Sequence, residues 1–494
     1  MNHINKSDSP TRVKSSTPND VLLFIPNTRW FNKRPWMVVP HSALILTAIL
    51  KENHDFFLLD ANALDLSEAE CLQQIKTISP RIFLVSGISV EYFQQYHKAF
   101  EIVKQATPDC ITVFGGIYPS LMSEEALQDK NIDYIFIGPA EGGILEFIHH
   151  LLEGQFEEAR KISGIGYCDA NGENIIRRPK STEINIDPNI KPDYSKIDVE
   201  FYLTQSAKEY NYSFQGPTAI LLTSYGCRYN CSFCAARTIR GRGINYRSTE
   251  DVLEEIDSLI QNHGVRHLSF LDECFLDDRE HAMTIMQAFI DRKYNITWKM
   301  PNVSAWHLDD ELLELMKDSG CKMITVSVES GNDRVLHKII RKPVKLGIFP
   351  NIVRKCNELG IEIAANFVIG MPGETWDEIR ETFRFAEAMN FDLVSFHIAT
   401  PYPKTDLYKI AKEQNLLPEN FDFRNPKYFG TSEGFITTDE FTPLELKVLR
   451  AYEWDRINFK TPENIEKIAR MMFMSVEQLN DHRKQTRTKL GIHH

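Results

Sequence analysis

Gly226-Cys227-Arg228-Tyr229-Asn230-Cys231-Ser232-Phe233-Cys234 carries more information than any other stretch of this chain. Its spacing is C-x-x-x-C-x-x-C, and it follows a short apolar run, Ala219 to Ser224, that reads as a strand. Three thiolates this close on one loop can wrap a corner of a compact iron-sulfur cluster, because soft sulfur is the ligand that such clusters prefer. A four-iron cluster held by three protein thiolates leaves one iron open, and an open metal position is where substrate binds in catalytic sites generally. Two plainer readings are a three-ligand zinc site and three cysteines with no metal. Zinc normally takes a fourth ligand, and Cys274, His263 and His267 all lie well outside the loop. The remaining cysteines, Cys71, Cys110, Cys168, Cys274, Cys321 and Cys356, are scattered singly and read as core residues.

Around this loop runs a strand-and-helix series. Its strands are Ala219 to Ser224, His267 to Leu271, Ile296 to Lys299, Met323 to Val328, Glu362 to Ile369 and Leu393 to Ala399. Such repetition predicts a partial (β/α)6 TIM-like barrel, with its chemistry at the carboxyl ends of the strands. Upstream, the runs Val21 to Pro26, Phe56 to Asp60, Ile82 to Ser86, Ile111 to Phe114 and Tyr134 to Ile137 alternate with amphipathic segments such as Leu44 to Glu52 and Glu91 to Gln105. They predict a Rossmann-like, doubly wound parallel sheet, which binds ligands at the carboxyl ends of its strands. The fold class is therefore α/β. The expected organisation is a disordered tail over 1–20, a first domain over 21–154, a connector over 155–215, the barrel over 216–411 and a helical segment over 412–494. The connector holds a hairpin turn at Asn171-Gly172 and a proline-rich stretch, Pro179 to Pro192.

Composition narrows the class. Hydrophobic residues make up 43% and charged residues 25% of the 494, the proportions of an ordinary globular protein. The 56 basic and 68 acidic residues give a net charge of -12, so nothing signals bulk attraction for nucleic acid or anionic membrane. The polar stretch Met1 to Asp20 has no apolar secretory region, and Trp36 to Leu50 is too short to cross a bilayer. An odd count of nine cysteines argues for reduced thiols, and a cytoplasmic location is expected.

The cysteine loop with its aromatic Phe233 resembles the signature of the radical S-adenosylmethionine (SAM) superfamily. Later segments are similar to the superfamily's pattern too: Leu271-Asp272-Glu273-Cys274-Phe275, Ser327-Val328-Glu329-Ser330-Gly331, Phe367-Val368-Ile369-Gly370-Met371-Pro372-Gly373-Glu374 and Pro401-Tyr402-Pro403-Lys404-Thr405. The resemblance implies a 4Fe-4S cluster on Cys227, Cys231 and Cys234, with the amino and carboxylate groups of SAM on the open iron. It further implies that Asp272 or Glu273 meets the SAM amino group, that Glu329 and Ser330 contact its ribose or methionine part, and that Phe233 and Gly370 flank adenine. Each has a plainer alternative: an exposed ion pair for Glu329, a turn for Gly370, a helix cap for Asp272. One departure stands out, since Leu271-Asp272-Glu273 occupies the place where many members carry Gly-Gly-Glu.

The first domain resembles the cobalamin-binding module, and Asp60-Ala61-Asn62 followed by Asp65 is similar to what cobalamin-binding radical SAM enzymes carry. By that resemblance Ser86, Gly115, Gly116 and Ser120 would line the pocket for the nucleotide tail of cobalamin. The module's D-x-H-x-x-G signature is absent, for neither His41 nor His54 stands in that context. The lower face of cobalt is then expected to lack a histidine ligand, with Arg29, Trp30 or a neighbour covering it.

For function, the resemblance implies an enzyme that methylates an unactivated carbon of a small molecule or natural-product precursor. Methylcobalamin would serve as methyl carrier and a flavodoxin or ferredoxin as electron donor. The alternative is a cyclase or rearrangement enzyme of the same architecture. A non-catalytic cobalamin or redox sensor and a tRNA-modifying enzyme are further classes. Against them stand the acidic charge and a single basic run, Arg483 to Lys489, which reads as a solvated helix face.

Overall fold

The computed structural model describes residues 20–34, 36–180, 184, 186–207, 212–423, 425 and 433–488. All but the last residue of the expected 1–20 tail lies outside them. The chain divides into two compact units, Met1–Tyr202 with Thr238–Asn245, and Leu203–Arg237 with Tyr246–His494.

In the first unit β1 (Val21–Ile25), β2 (Phe56–Asp60), β3 (Ile82–Gly87), β4 (Ile111–Gly116) and β5 (Tyr134–Phe136) pair in parallel in the order β2-β1-β3-β4-β5. Val-Leu-Leu-Phe-Ile in β1 is buried at every position, as a central strand covered on both faces requires. The strand order reverses between β1 and β3, which places the ligand crevice of such a sheet at their carboxyl ends. Within the expected connector, the hairpin placed at Asn171-Gly172 is present and extends this sheet: β6 (Ile165–Cys168) pairs antiparallel with β5, and β7 (Asn174–Ile176) with β6. The reason is physical. β5 would otherwise leave a bare edge, and Ile165, fully buried, brings apolar surface to cover it.

The second unit holds six parallel strands in sequential order: Thr218–Leu221, His267–Phe270, Thr297–Val303, Cys321–Glu329, Glu362–Ile369 and Leu393–Ile398. They form the expected partial barrel. The helix Pro443–Asn458 opens with a Thr442/Glu445 capping box and a proline in its first turn. It covers the edge strand Leu393–Ile398. There the Asn458 amide accepts from Val394 N at 2.8 Å and donates to Val394 O at 2.9 Å, doing for the edge what another strand would do. The helices Pro462–Met471 and Val476–Thr488 bring Ile468, Ala469, Met471 and Leu479 into a core with Met323, Ala364 and Leu393, near the amino ends of the barrel strands. The carboxyl ends are thereby left for chemistry. Among the described residues no helix is long and apolar enough to cross a membrane.

Candidate functional site

The cysteine loop leaves the first barrel strand and is held from both sides. Ser232 N donates to Ile340 O at 3.0 Å, and Leu407 N donates to Ser232 O at 2.8 Å. Gly226 N donates to the Glu273 carboxylate at 3.3 Å. Between the first two cysteines, the Tyr229 hydroxyl donates to Asp277 Oδ2 at 2.9 Å, accepts from Trp306 Nε1 at 2.9 Å and lies 3.2 Å from His307 Nε2. Asp277, whose side chain is only 1% exposed, also meets Arg228 and His307, each at 3.1 Å. These contacts fix the loop that carries the thiols.

Cys227 and Cys231 are half-buried, Cys234 is exposed, and none is in a disulfide. Burial pushes the Cys231 thiol up to about 12 and raises that of Cys234. Cys227 is lowered, because the Cys274 thiol hydrogen-bonds to it. The three thiols feel one another's charge, and Glu329, Glu273 and Lys342 act on them as well. Among the described residues no three His, Cys, Asp or Glu side chains gather as a single metal ion would require. A polynuclear cluster takes each thiolate on a different iron, so its ligands need not converge on one point. The donor set, three unpaired thiols on one anchored loop, fits a 4Fe-4S cluster.

Glu329 ends the fourth barrel strand with φ +71, an uncommon conformation for a residue other than glycine. Its carboxylate accepts from Lys342 Nζ at 2.7 Å, with both side chains buried. The Lys342 ammonium also lies 5.6 Å from the centre of the Trp306 ring. Glu273 sits at the cluster loop, as its bond to Gly226 shows. Phe233 is half-buried on the loop itself.

Three other expected SAM contacts are engaged in the scaffold. Asp272 Oδ1 accepts from Thr223 N, Thr223 Oγ1 and Ser224 Oγ at 2.7 to 2.9 Å, while Oδ2 is buried without a partner. Burial pushes this carboxyl up to about 6. Ser330 Oγ is fully buried against Thr382 Oγ1 at 3.0 Å and accepts from Asn332 N. Gly370 has φ +82, and its N–H, with that of Met371, donates to the buried Glu374 Oε2 at 2.7 and 3.0 Å.

In the first unit, Ser86 Oγ donates to Ser42 Oγ at 2.9 Å and lines a small cavity with Thr28, Ser42 and Tyr96 at the carboxyl ends of β1 and β3. This is the predicted crevice. Gly116 has φ +91, and a Cβ there would stand 2.6 Å from the backbone of Gly87 and 2.9 Å from Ser86 Oγ. Gly115 is less crowded, with its nearest neighbour at 3.8 Å. Ser120 Oγ donates to Gly116 O at 2.7 Å and accepts from Gly138 N at 3.0 Å, so it shapes the loop. Gly115, Gly116 and Ser120 do not line this cavity, but Gly116 packs against Ser86, which does; a crevice lined by Ser42 and Ser86 at the switch point fits the tail of a nucleotide-bearing cofactor. Trp30 is buried, its indole N–H donating to Leu66 O at 2.9 Å, and Arg29 pairs with Asp65 at 3.2 Å. Both residues expected at the cobalt face are thus tied to the segment that follows β2.

Sequence reasoning missed Lys342, Asp277, His307, Trp306 and Glu374. Only Glu374 lay in a quoted motif. The others stand far along the chain from their partners and carry no local signature.

The Radical SAM superfamily model matches residues 221–386, and the B12 binding domain model matches residues 37–148. The chain is 26% identical over 428 residues to the cytidylyl-2-hydroxyethylphosphonate methyltransferase of Streptomyces wedmorensis, covering 81% of this chain and 79% of the relative. Its fold matches TsrM from Kitasatospora setae, a radical SAM methyltransferase with cobalamin and a [4Fe-4S] cluster bound. That match has TM-score 0.66 and 20% identity, over 80% of this chain and 78% of TsrM. It also matches OxsB, a cobalamin-dependent SAM radical enzyme with aqua-cobalamin and SAM bound, at TM-score 0.70 and 16% identity, over 96% of this chain and 72% of OxsB.

With both domain models matched on one chain, the protein belongs to the radical SAM superfamily and carries a B12-binding domain. It is a radical SAM enzyme whose cofactors are a 4Fe-4S cluster, SAM and cobalamin.

Proposed function

We propose that the protein transfers a methyl group to an unactivated carbon of a small molecule or natural-product precursor. The observation that carries this reading is the anchored three-thiol loop beside the buried Glu329–Lys342 pair, on a chain that also holds a B12-binding domain. Similarity to a phosphonate methyltransferase supports methylation over ring closure.

In this reading Cys227, Cys231 and Cys234 hold the cluster and leave one iron to SAM. When bound, the cofactors supply the electron that cleaves SAM and the carrier for the methyl group. The protein does the rest. Tyr229, Asp277 and His307 hold the loop rigid, so the thiols keep their spacing. Glu329, fixed by Lys342, and Glu273 present carboxylates to the amino and hydroxyl groups of SAM, and Phe233 with Gly370 borders adenine. Asp272 and Ser330 act behind them by holding the strand ends. Ser86, Gly115, Gly116 and Ser120 shape the cobalamin crevice. The domain limits follow as 21–154 for cobalamin and 216–411 for the barrel, in a cytoplasmic enzyme reduced by a flavodoxin or ferredoxin and acting without nucleic acid.

Product analysis of the anaerobically reconstituted enzyme tests the reading once a substrate is in hand. Equal amounts of S-adenosylhomocysteine and 5'-deoxyadenosine are expected. 5'-Deoxyadenosine without S-adenosylhomocysteine overturns methylation.

A further inference from the structure

The helix Pro443–Asn458 buries Leu446 and Asn458 near its two ends, and Arg450, one turn after Leu446, lies on Leu446's side of it. At one end, Leu446 Cδ1 is 2.5 Å from the point a Cβ on Gly370 would occupy, which ties that end to the carboxyl terminus of the fifth barrel strand. At the other end, Asn458 holds Val394 near the start of the sixth. The helix therefore runs antiparallel to that strand. Eight helical residues rise about 12 Å, and about 12 Å along a strand is roughly four residues. Counted from Val394, Arg450 stands level with Ile398, next to His397, at the carboxyl end of the strand where barrel chemistry sits.

Arg450 is a half-buried cation with no carboxylate in ion-pair contact among the described residues, and Glu433 acts on it only through its charge. Its Nε is buried with no hydrogen-bond partner, and among the described residues no carboxylate pairs with it. The carboxylates nearby are taken: Glu433 by Lys447 at 2.7 Å, and Glu329 by Lys342 at 2.7 Å. Burial lowers the pKa of Arg450, yet a guanidinium stays charged in a protein. His397 feels the charges of both Arg450 and Glu329, so the guanidinium belongs to the same end of the barrel as the pair beside the cluster loop. A half-buried guanidinium whose Nε has lost water and gained no partner is partly desolvated already, which favours an anionic ligand at its remaining nitrogens.

We propose that Arg450 is a specificity-determining residue that binds an anionic oxygen group of the substrate, a carboxylate or a phosphoryl group, at the carboxyl end of the last barrel strand. The planar fork of the guanidinium matches the paired oxygens of either group. The proposal deepens the reading of the barrel mouth as the substrate site, and it rests on that reading.

The test titrates the anaerobically reconstituted holoenzyme with methylphosphonate, with acetate and, as a neutral counterpart, with acetamide, at constant ionic strength, following heat of binding. Arg450→Gln and Arg450→Lys are compared with the wild type, after iron and cobalamin contents show each to be folded and loaded. Saturable binding of one of the two anions, at least tenfold tighter than acetamide, is expected in the wild type. Which anion binds tells phosphoryl from carboxylate. Arg450→Gln should weaken it at least tenfold, and Arg450→Lys should fall between, because it keeps the charge and loses the fork. If Arg450→Gln fails to fold, Arg450→Lys alone decides, and unchanged affinity in it overturns the proposal. Equal affinity in wild type and Arg450→Gln, or no preference for anions, also overturns it. Failure of the methyltransfer reading shows separately, as wild type that binds the anion yet yields no S-adenosylhomocysteine with any substrate.

Discussion

Lys342 Nζ donates to Glu329 Oε1 across 2.7 Å, and the two side chains are 7% and 10% exposed. Both partners are set by the backbone, since Glu329 has φ +71 and Arg341, just before the lysine, has φ +67. Removing one partner of such a pair strands the other charge. Lys342→Met is expected to cost about 3 kcal/mol of stability, read as a lower midpoint of urea unfolding. The double variant Glu329→Gln/Lys342→Met should recover part of that loss, because no unpaired charge then remains. Additive losses would contradict the coupling.

Glu374 gives the barrel a pH dependence of known sign. Burial pushes its carboxyl from 4.5 up to about 8, while Oε2 accepts from Gly370 N and Met371 N. The folded state therefore holds this proton more tightly than the unfolded state does. Its contribution to stability is full below 4.5 and is lost as pH rises through about 8. Asp272 and Asp60, both raised to about 6 by burial, add the same sign at lower pH. Glu374→Gln keeps the acceptor and drops the titration, so its unfolding midpoint should fall less than that of the wild type from pH 5 to pH 8. Parallel pH profiles would contradict this assignment.

Gly116 admits no side chain. At φ +91, with a Cβ placed 2.6 Å from the Gly87 backbone, Gly116→Ala must shift β3 against β4. The expected result is a loss of more than about 2 kcal/mol together with loss of bound cobalamin, measured by absorbance of the reconstituted protein. Gly115→Ala, with 3.8 Å of room, should be far milder and keeps the comparison local.

Most of the architecture was legible because local pattern and burial coincide. Phe56–Asp60 and Glu362–Ile369 match the sequence-based strands at both ends, since each is a compact apolar run between turns. Thr297–Val303 runs beyond the expected Lys299, because pairing with Cys321–Glu329 carries it past a proline that reads as a breaker. The turn of the β6–β7 hairpin was legible at Asn171-Gly172, but its joining the first sheet was not, because its strands are short and the edge that they cover is invisible in sequence. The cysteine loop stood out because its three thiols are close in sequence. Lys342, Asp277 and Arg450 did not: Lys342 meets Glu329 across 13 residues and Asp277 meets Tyr229 across 48, while Arg450 has no ion pair among the described residues to mark it.

Tyr229 tests what holds the cluster loop. Tyr229→Phe removes the hydroxyl that joins Asp277, His307 and Trp306, and leaves the buried Asp277 short of a donor. A cost of about 1 to 3 kcal/mol is expected. Cluster absorbance should decay faster in the presence of a chelator, while the unreconstituted protein stays folded. An unchanged decay rate would show that the network does not anchor the loop.

The central claim is that Cys227, Cys231 and Cys234 hold a four-iron cluster with one iron open to SAM. Electron paramagnetic resonance of the dithionite-reduced, anaerobically reconstituted protein, with and without SAM, tests it most directly. A 4Fe-4S signal that shifts on SAM addition, and that is absent when any of the three cysteines is replaced by alanine, is the predicted result. A protein that takes up no iron, or a signal that persists in all three alanine variants, would contradict it.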